Sequence, residues 1–156
     1  MDHKHYMQEA VTAALKGMQN NEGGPFGCVI VKDGKIIGKG NNKVTSTNDP
    51  TAHAEVTAIR DACKNLGSFQ LEGCTIYTSC EPCPMCLGAI YWARPEKVYY
   101  GSTKTDAAHI GFDDDFIYEE LKLPYADRSI PFEQLAPEVA ITPFQEWATK
   151  EDKTEY

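Results

Sequence analysis

The chain predicts an α/β fold in which helices cover both faces of a mixed sheet. Two observations support this: an antiparallel hairpin follows an opening helix, and strands then alternate with helices. Alternation of this kind favours parallel pairing through helical crossovers, so the sheet should be mixed. Residues 1–156 have the length of one ordinary domain, and no repeat or linker interrupts them before their end.

The first half of the chain predicts a helix, a hairpin and a second helix. Apolar residues recur at three- and four-residue steps over residues 3–19, which is typical of an amphipathic helix. Strand-like runs at residues 26–31 and 35–40 are joined by Asp33-Gly34, a strong hairpin signal. A turn at residues 48–51 leads into a helical period over residues 52–66.

The second half continues the alternation and then becomes less regular. We expect a buried strand at residues 75–78, a helix over about 83–93 and a strand at residues 97–100. The pattern weakens from Asp106 onward. Thr142-Pro143-Phe144-Gln145 has the form of a capping box, which predicts a helix over about 143–150 before a charged tail that ends in Tyr156.

Composition and charge narrow the possible partners. The chain is 42% hydrophobic and 24% charged, which is typical of a soluble globular protein. It has no apolar run near the ~20 residues of a membrane helix and no secretory signal pattern at its start, so we expect a cytoplasmic protein without a membrane partner. The formal net charge of −8 disfavours nucleic acid, whose phosphates bind Lys and Arg, and favours a small uncharged substrate.

The most informative pattern joins His53-Ala54-Glu55 to Pro82-Cys83-Pro84-Met85-Cys86. One imidazole and two thiolates leave a fourth position of a tetrahedral Zn²⁺ open, as in catalytic zinc sites. Both groups fall at predicted helix starts, where the partial positive charge favours thiolate over thiol. We therefore expect one zinc ion per chain, bound by His53, Cys83 and Cys86.

Glu55 is predicted to be a general acid–base and not a ligand. Residues two apart on a helix point to different sides, so Glu55 should not complete the metal sphere. Its carboxylate can instead reach a metal-bound water and the substrate ring, where it would carry protons between them.

The same cysteines allow two other interpretations. Cys80, Cys83 and Cys86 also form a Cys-x-x-Cys-x-x-Cys run, which could suggest an iron–sulfur cluster. The bacterial ferredoxin pattern needs a further cysteine and then proline, where this chain has Ile90-Tyr91. A zinc-stabilised binding module without turnover stays open, although such a module has no use for Glu55.

The His-x-Glu and Pro-Cys-x-x-Cys pair is the established signature of the zinc-dependent nucleobase deaminases, and the chain resembles their cytidine-deaminase-like superfamily. That resemblance implies a three-layer α/β/α sandwich around a five-stranded mixed sheet. The chain is also similar to the bacterial guanine deaminases over nearly its whole length, most loosely over residues 120–142. The segments that carry this second resemblance are Gly23–Gly27, Asn42, Asn48–Glu55, Tyr77–Cys86, Ala89–Pro95, Thr105–Ala108, Gly111–Asp114 and Glu155-Tyr156.

The second resemblance implies hydrolytic deamination of guanine. A zinc-bound hydroxide would attack C2 of the purine and yield xanthine and ammonia, with Glu55 as the proton shuttle. Asn42 and the backbone of Ala54 would hydrogen-bond the purine. Asp114 would hydrogen-bond the substrate and assist proton transfer.

The same resemblance implies an aromatic lining and a shared pocket. Phe26 and Trp92 would pack around the purine ring, and Tyr156 would help to close the pocket. The family forms homodimers with exchanged C-terminal segments, here about residues 130–156.

Simpler interpretations of these residues stay open at the level of sequence. Phe26 and Trp92 suit a core, Asn42 suits a turn, Asp114 suits a solvated helix cap, and terminal residues such as Tyr156 are commonly frayed. The same chemistry could also act on guanosine, cytosine, cytidine or the adenosine of a tRNA.

Overall fold

A four-stranded mixed sheet forms the centre of the first of two compact units into which the chain divides. The computed structural model describes residues 2–156; the first unit ends at Asp115 and the second spans Phe116–Tyr156. The strands are β1 (Gly27–Lys32), β2 (Lys35–Asn41), β3 (Thr75–Cys80) and β4 (Lys97–Ser102), in the order β2-β1-β3-β4. β1 runs antiparallel to both neighbours, whereas β3 and β4 are parallel, which confirms the predicted mixed sheet.

The helices of the first unit occupy both faces of this sheet. They are α1 (His3–Gln19), α2 (Val44–Thr47), α3 (Ala54–Leu66), α4 (Pro84–Ala93) and α5 (Lys104–Ala108). Side chains alternate along β1, so Cys28 and Ile30 pack in one core cluster with residues of α3 and α4. Val29 and Val31 point the other way, into a cluster with residues of α1. The unit is therefore a helix–sheet–helix sandwich.

The second unit contains short helices and no strand among its described residues. α6 (Asp115–Lys122) begins at the boundary and is followed by a 3-10 turn at Tyr125–Asp127, then α7 (Pro137–Ala140) and α8 (Thr142–Thr149).

The prediction of a fifth strand was wrong. Across residues 2–156 the sheet contains four strands. After β4, Thr103 and Asp106 form a capping box that begins α5, so the chain turns helical at once. Prolines at positions 124, 131, 137 and 143 then interrupt the remaining chain, and proline cannot donate to a strand ladder.

Two glycines on β2, Gly38 and Gly40, allow α3 to approach the sheet closely. A Cβ added at Gly38 would lie 2.6 Å from the Cβ of Ala62, and one added at Gly40 would lie 2.5 Å from the backbone N of Ala58. The same added atom at Gly40 would clash with the carbonyl oxygen of Ala54. The two glycines therefore set the depth of α3 and the position of its first residue.

The starts of α3 and α8 differ from prediction. α1 has the predicted bounds, but α3 begins at Ala54 because His53 is extended (φ −70°, ψ 159°) and serves as its N-cap. The capping box predicted at residues 142–145 does not form: α8 follows Ile141 directly, and the hydroxyl of Thr142 donates to the carbonyl of Val139 at 2.9 Å. No helix within residues 2–156 has both the length and the apolar character needed to cross a membrane.

Candidate active site

Two helix N-termini bring the predicted metal ligands together. His53 is the N-cap of α3, after a turn in which the Asp49 carboxylate accepts hydrogen bonds from the backbone N (2.8 Å) and hydroxyl (2.7 Å) of Thr51. Cys83 is the N-cap of α4, and its sulfur accepts a hydrogen bond from the backbone N of Cys86 at 3.5 Å. β3 ends three residues before Cys83, so both cysteines lie at the start of α4, close to the end of this strand.

The ligand atoms have the spacing of a tetrahedral zinc site. Nδ1 of His53 lies 3.5 Å from Sγ of Cys83 and 3.6 Å from Sγ of Cys86. Zn–S bonds of about 2.3 Å and Zn–N bonds of about 2.0–2.1 Å at tetrahedral angles place nitrogen and sulfur about 3.6 Å apart. All three ligand atoms lie within 4.8 Å of one another. The donor set and its geometry therefore fit zinc, with a fourth position left for water or substrate.

The two thiols differ in acidity because they share a hydrogen bond. A hydrogen bond from Cys86 lowers the pKa of Cys83, and His53 adds to this effect. The same bond, together with burial, raises the pKa of Cys86. The hydrogen bond with Cys83 also raises the pKa of His53. A cation that binds both sulfurs takes the place of the shared proton.

Glu55 is buried beside the cluster, in the first turn of α3. Its side chain is only 6% exposed, and its Oε1 accepts a hydrogen bond of 2.7 Å from the hydroxyl of Thr78. The negative charge of Glu55 is also one of the causes that raise the pKa of Cys86. The carboxylate predicted to move protons therefore lies next to the sulfurs predicted to bind metal.

Asn42 is buried behind the loop that precedes β1. Its Oδ1 accepts hydrogen bonds from the backbone N of Gly24 (3.2 Å) and of Val44 (3.1 Å). This arrangement commits the amide oxygen to the protein and turns the NH₂ group into the donor available to a ligand. Ala54 is fully buried, and its backbone N belongs to the first turn of α3, where N–H groups have no acceptor within the helix.

Phe26 is half-buried and contacts the ring of Phe112, a residue for which the sequence predicted no role. Its ring meets the ring of Phe112 edge to face, with centroids 5.0 Å apart and planes at 89°. Phe112 is 44% exposed. The pair forms a rigid apolar wall beside Gly24.

Asp114 lies at the end of the loop after α5 and is half-buried. Burial raises the pKa of its carboxyl group, and the negative charge of Cys83 adds to this effect. Asp114 in turn contributes to the raised pKa of His53. The carboxylate of Asp114 therefore lies close enough to His53 and Cys83 for their charges to interact.

The remaining predicted residues are not brought to the cluster in the same way. Trp92 is 63% exposed and lies six residues beyond Cys86 on α4, or about 9 Å along the helix axis. Tyr156 belongs to the second unit and is 72% exposed. Their contacts with substrate stay predictions.

A cavity of about 260 Å³ lies on the α1 side of the sheet and not at the metal cluster. Phe26 and Cys80 contribute to its wall, but its apolar lining comes mainly from Val11, Leu15 and Ile110. None of the three metal ligands lines it, so this cavity is not the catalytic site.

Thr78 and Phe112 are the residues near the site that sequence reasoning missed. Thr78 stood in a run predicted to be a buried strand, where threonine is an ordinary β-branched former and signals no chemistry. The one available signal was a hydroxyl at a position where the strand face is otherwise apolar.

Comparison with known proteins agrees with this geometry. Residues 1–102 match the family described as the cytidine and deoxycytidylate deaminase zinc-binding region. A tRNA-specific adenosine deaminase of Aquifex aeolicus is 41% identical over 102 residues, which cover 65% of this chain and 67% of that protein. A solved structure of guanine deaminase from Nitrosomonas europaea is 28% identical, with a TM-score of 0.67, and the match covers 70% of this chain and 63% of that one.

A longer match distinguishes among the deaminases. The chain is 58% identical to a guanine deaminase of Bacillus subtilis over 156 residues, the full length of both proteins. The X-ray structure of guanine deaminase from Bacillus subtilis superposes with a TM-score of 0.97 and covers 100% of this chain and 99% of that one. The chain therefore belongs to the guanine deaminase family, among the enzymes that carry the cytidine and deoxycytidylate deaminase zinc-binding region.

Proposed function

We propose that this chain hydrolyses guanine to xanthine and ammonia at the cluster of His53, Cys83 and Cys86. The observation that carries the proposal is that Nδ1 of His53 and the two sulfurs have the spacing of ligands of one tetrahedral metal ion, with the carboxylate of Glu55 buried beside them. Membership of the guanine deaminase family supports the choice of substrate.

The cluster would hold one zinc ion per chain. A zinc ion bound there would supply the Lewis acidity that lets a water lose its proton near neutral pH. His53, Cys83 and Cys86 would hold the ion, and Glu55 is buried beside them.

Glu55 would carry each proton of the reaction. It takes a proton from the attacking water while the water oxygen bonds to C2 of guanine, and it delivers that proton to the adjacent ring nitrogen. It then moves the remaining hydroxyl proton to the amino group, so the C2–N bond breaks, ammonia leaves and a carbonyl forms at C2. A positioned acid–base of this kind typically contributes about 10²–10⁴-fold to the rate.

Polar groups around the cluster would select the purine. The NH₂ group of Asn42 and the backbone N of Ala54 can donate to ring acceptors, while the carboxylate of Asp114 can accept from guanine N–H groups. Phe26 would pack against the ring, as would Trp92. A site that hydrogen-bonds specific groups can reject analogues that lack them by about 10⁴–10⁵-fold.

Ammonia release from a panel of substrates tests this proposal. The zinc-loaded protein is compared on guanine, guanosine, cytosine, cytidine and adenine at equal concentration. Preference for guanine, with xanthine as the product, supports the proposal. Preference for guanosine keeps the chemistry and rejects the closed pocket, and activity on none of them rejects the assignment.

A tRNA substrate is the second candidate, because tRNA-specific adenosine deaminases match about two thirds of the chain. The net charge of −8 argues against it, since no excess of basic residues exists to neutralise phosphates. An adenosine-containing anticodon stem-loop added to the panel decides between the two.

We further propose a cytoplasmic homodimer in which C-terminal segments of about residues 130–156 are exchanged, and in which Tyr156 closes the pocket of its own chain or of the partner. The support is apolar surface: no described side chain of Phe116–Tyr156 is fully buried, and large apolar residues there, such as Leu135 (87% exposed) and Phe144 (72%), lie open. Apolar surface of this extent is typical of a region that a partner covers.

A further inference from the structure

The structure buries few polar side chains, and one of them has not yet been assigned a function. Among residues 2–156 the buried polar residues are Asn42, Glu55 and Thr78. The first two belong to the chemistry proposed above. Thr78 is 1% exposed and is the third.

Thr78 lies on the face of β3 that packs against α3. It pairs with Cys28 of β1 and with Tyr100 of β4, and Ile76 precedes it on the same face. Cys28 and Ile76 belong to the apolar core cluster that includes Ala54 and Ala58. A hydroxyl buried in such a place costs free energy unless it is hydrogen-bonded, so packing alone does not favour threonine over valine here.

The hydroxyl of Thr78 makes that hydrogen bond to the catalytic carboxylate. Oγ1 lies 2.7 Å from Oε1 of Glu55 and 3.1 Å from the carbonyl oxygen of Cys80. A hydroxyl has one proton, and the shorter distance and the charge of the carboxylate favour donation to Glu55. The carbonyl oxygen of Cys80 is the second acceptor within reach of this hydroxyl.

We propose that Thr78 is a positioning residue that holds Oε1 of Glu55 and thereby reserves the other carboxylate oxygen for proton transfer. This inference rests on the proposed function. A carboxylate held at Oε1 by a buried hydroxyl is kept at a fixed angle, so its other oxygen stays available to the reacting atoms.

Substitution of the hydroxyl tests the proposal. Thr78→Val keeps the shape and removes the donor, Thr78→Ser keeps the donor and removes the methyl group, and Thr75→Val makes the same change earlier in β3. We expect T78V to lower kcat for guanine by about 10–100-fold, the scale of loss that a displaced catalytic group produces. KM, xanthine affinity and zinc content should change less than about twofold, while T78S and T75V should keep most of the wild-type kcat.

A measurement that does not depend on turnover separates this inference from the proposed function. Crystal structures of the zinc-loaded wild type and T78V report the position of the Glu55 carboxylate directly. A rotated or displaced carboxylate in T78V supports the inference even if guanine proves not to be the substrate. An unmoved carboxylate, a kcat for T78V within about twofold of wild type, or a T78S as impaired as T78V would overturn it. Thr78→Ala supplies the same comparison if valine disturbs folding.

Discussion

The proposed chemistry of this site assigns different tasks to a few side chains. His53, Cys83 and Cys86 present one nitrogen and two sulfurs at distances that fit tetrahedral zinc. Glu55 is buried beside them and does not need to act as a ligand. In the proposed mechanism this separation would leave one coordination position for water, and the hydroxyl of Thr78 supports the carboxylate of Glu55.

Asp114 provides a residue-level test of substrate recognition. Asp114→Asn keeps the size of the side chain but removes the charge and one acceptor that would face guanine N–H groups. We expect kcat/KM for guanine to fall at least about tenfold, since a hydrogen bond to a charged group contributes about 1.5–3 kcal/mol. Steady-state kinetics on guanine measure the effect.

Asp113→Asn is the matched control. Oδ1 of Asp113 accepts a hydrogen bond of 2.9 Å from the backbone N of Asp115, and asparagine can make the same bond. D113N should therefore behave as wild type. Equal losses in D113N and D114N would mean that the loop, and not the carboxylate of Asp114, determines the rate.

Much of the site could be predicted at the residue level because metal ligands have characteristic types and spacings. The three ligands were named from sequence, and the structure brings them together. Thr78 could not be found in that way, because its task depends on the register that pairs β3 with β1 and faces it toward α3. No local pattern in the sequence carries that register.

At the scale of secondary structure, the starts of α3 and α4 position the site, and α3 is packed tightly against the sheet. α3 lies so close to β2 that Gly40 has no space for a Cβ, and the atoms it would meet are backbone atoms of Ala54 and Ala58. The neighbours cannot yield by changing a rotamer. The position of His53 and Glu55 is therefore coupled to the packing of α3 on the sheet.

Gly40→Ala tests this coupling. Overpacking against a backbone should lower the free energy of unfolding by about 1–3 kcal/mol and displace the start of α3, so activity should fall as well. Denaturant unfolding measures the first effect and guanine turnover the second. Gly88→Ala is the control, because a Cβ there meets nothing within 4 Å, and it should be neutral or up to about 1 kcal/mol more stable. A G40A protein as stable as wild type would contradict the packing argument.

The elements differed in how well the sequence predicted them. α1 has 17 residues of regular apolar period and was predicted at both ends. α5 has five residues, too few for a period to be visible, and its capping box at Thr103 was missed. The fifth strand was expected from family resemblance alone, and no residue pattern in the second unit supported it.

At the scale of the whole molecule, two apolar core clusters support the sheet from both sides without any contribution from the metal cluster. Zinc removal should therefore abolish turnover but leave a folded protein. After chelation we expect the far-ultraviolet circular dichroism to stay close to that of the zinc form, with a cooperative thermal transition at a lower Tm. Loss of helical signal at room temperature on chelation would show instead that the metal is required for folding.

The proposed dimer is tested through its C-terminal tail. Removal of residues 150–156 should lower kcat/KM for guanine, because the truncated chain lacks Tyr156, the residue proposed to close the pocket. Light scattering on the full chain at micromolar concentration should give the mass of a dimer. A monomer, or a truncated chain with unchanged kcat/KM, would contradict the exchange of C-terminal segments.

The central claim is that Glu55 moves protons at a zinc site built by His53, Cys83 and Cys86. The most direct test compares bound zinc and guanine turnover in wild type and Glu55→Gln, with Glu72→Gln as an exposed control. The account predicts equal zinc in all three proteins, wild-type turnover in E72Q, and a kcat in E55Q lower by about 10²–10⁴-fold. An E55Q protein that binds zinc and deaminates guanine at the wild-type rate would contradict it.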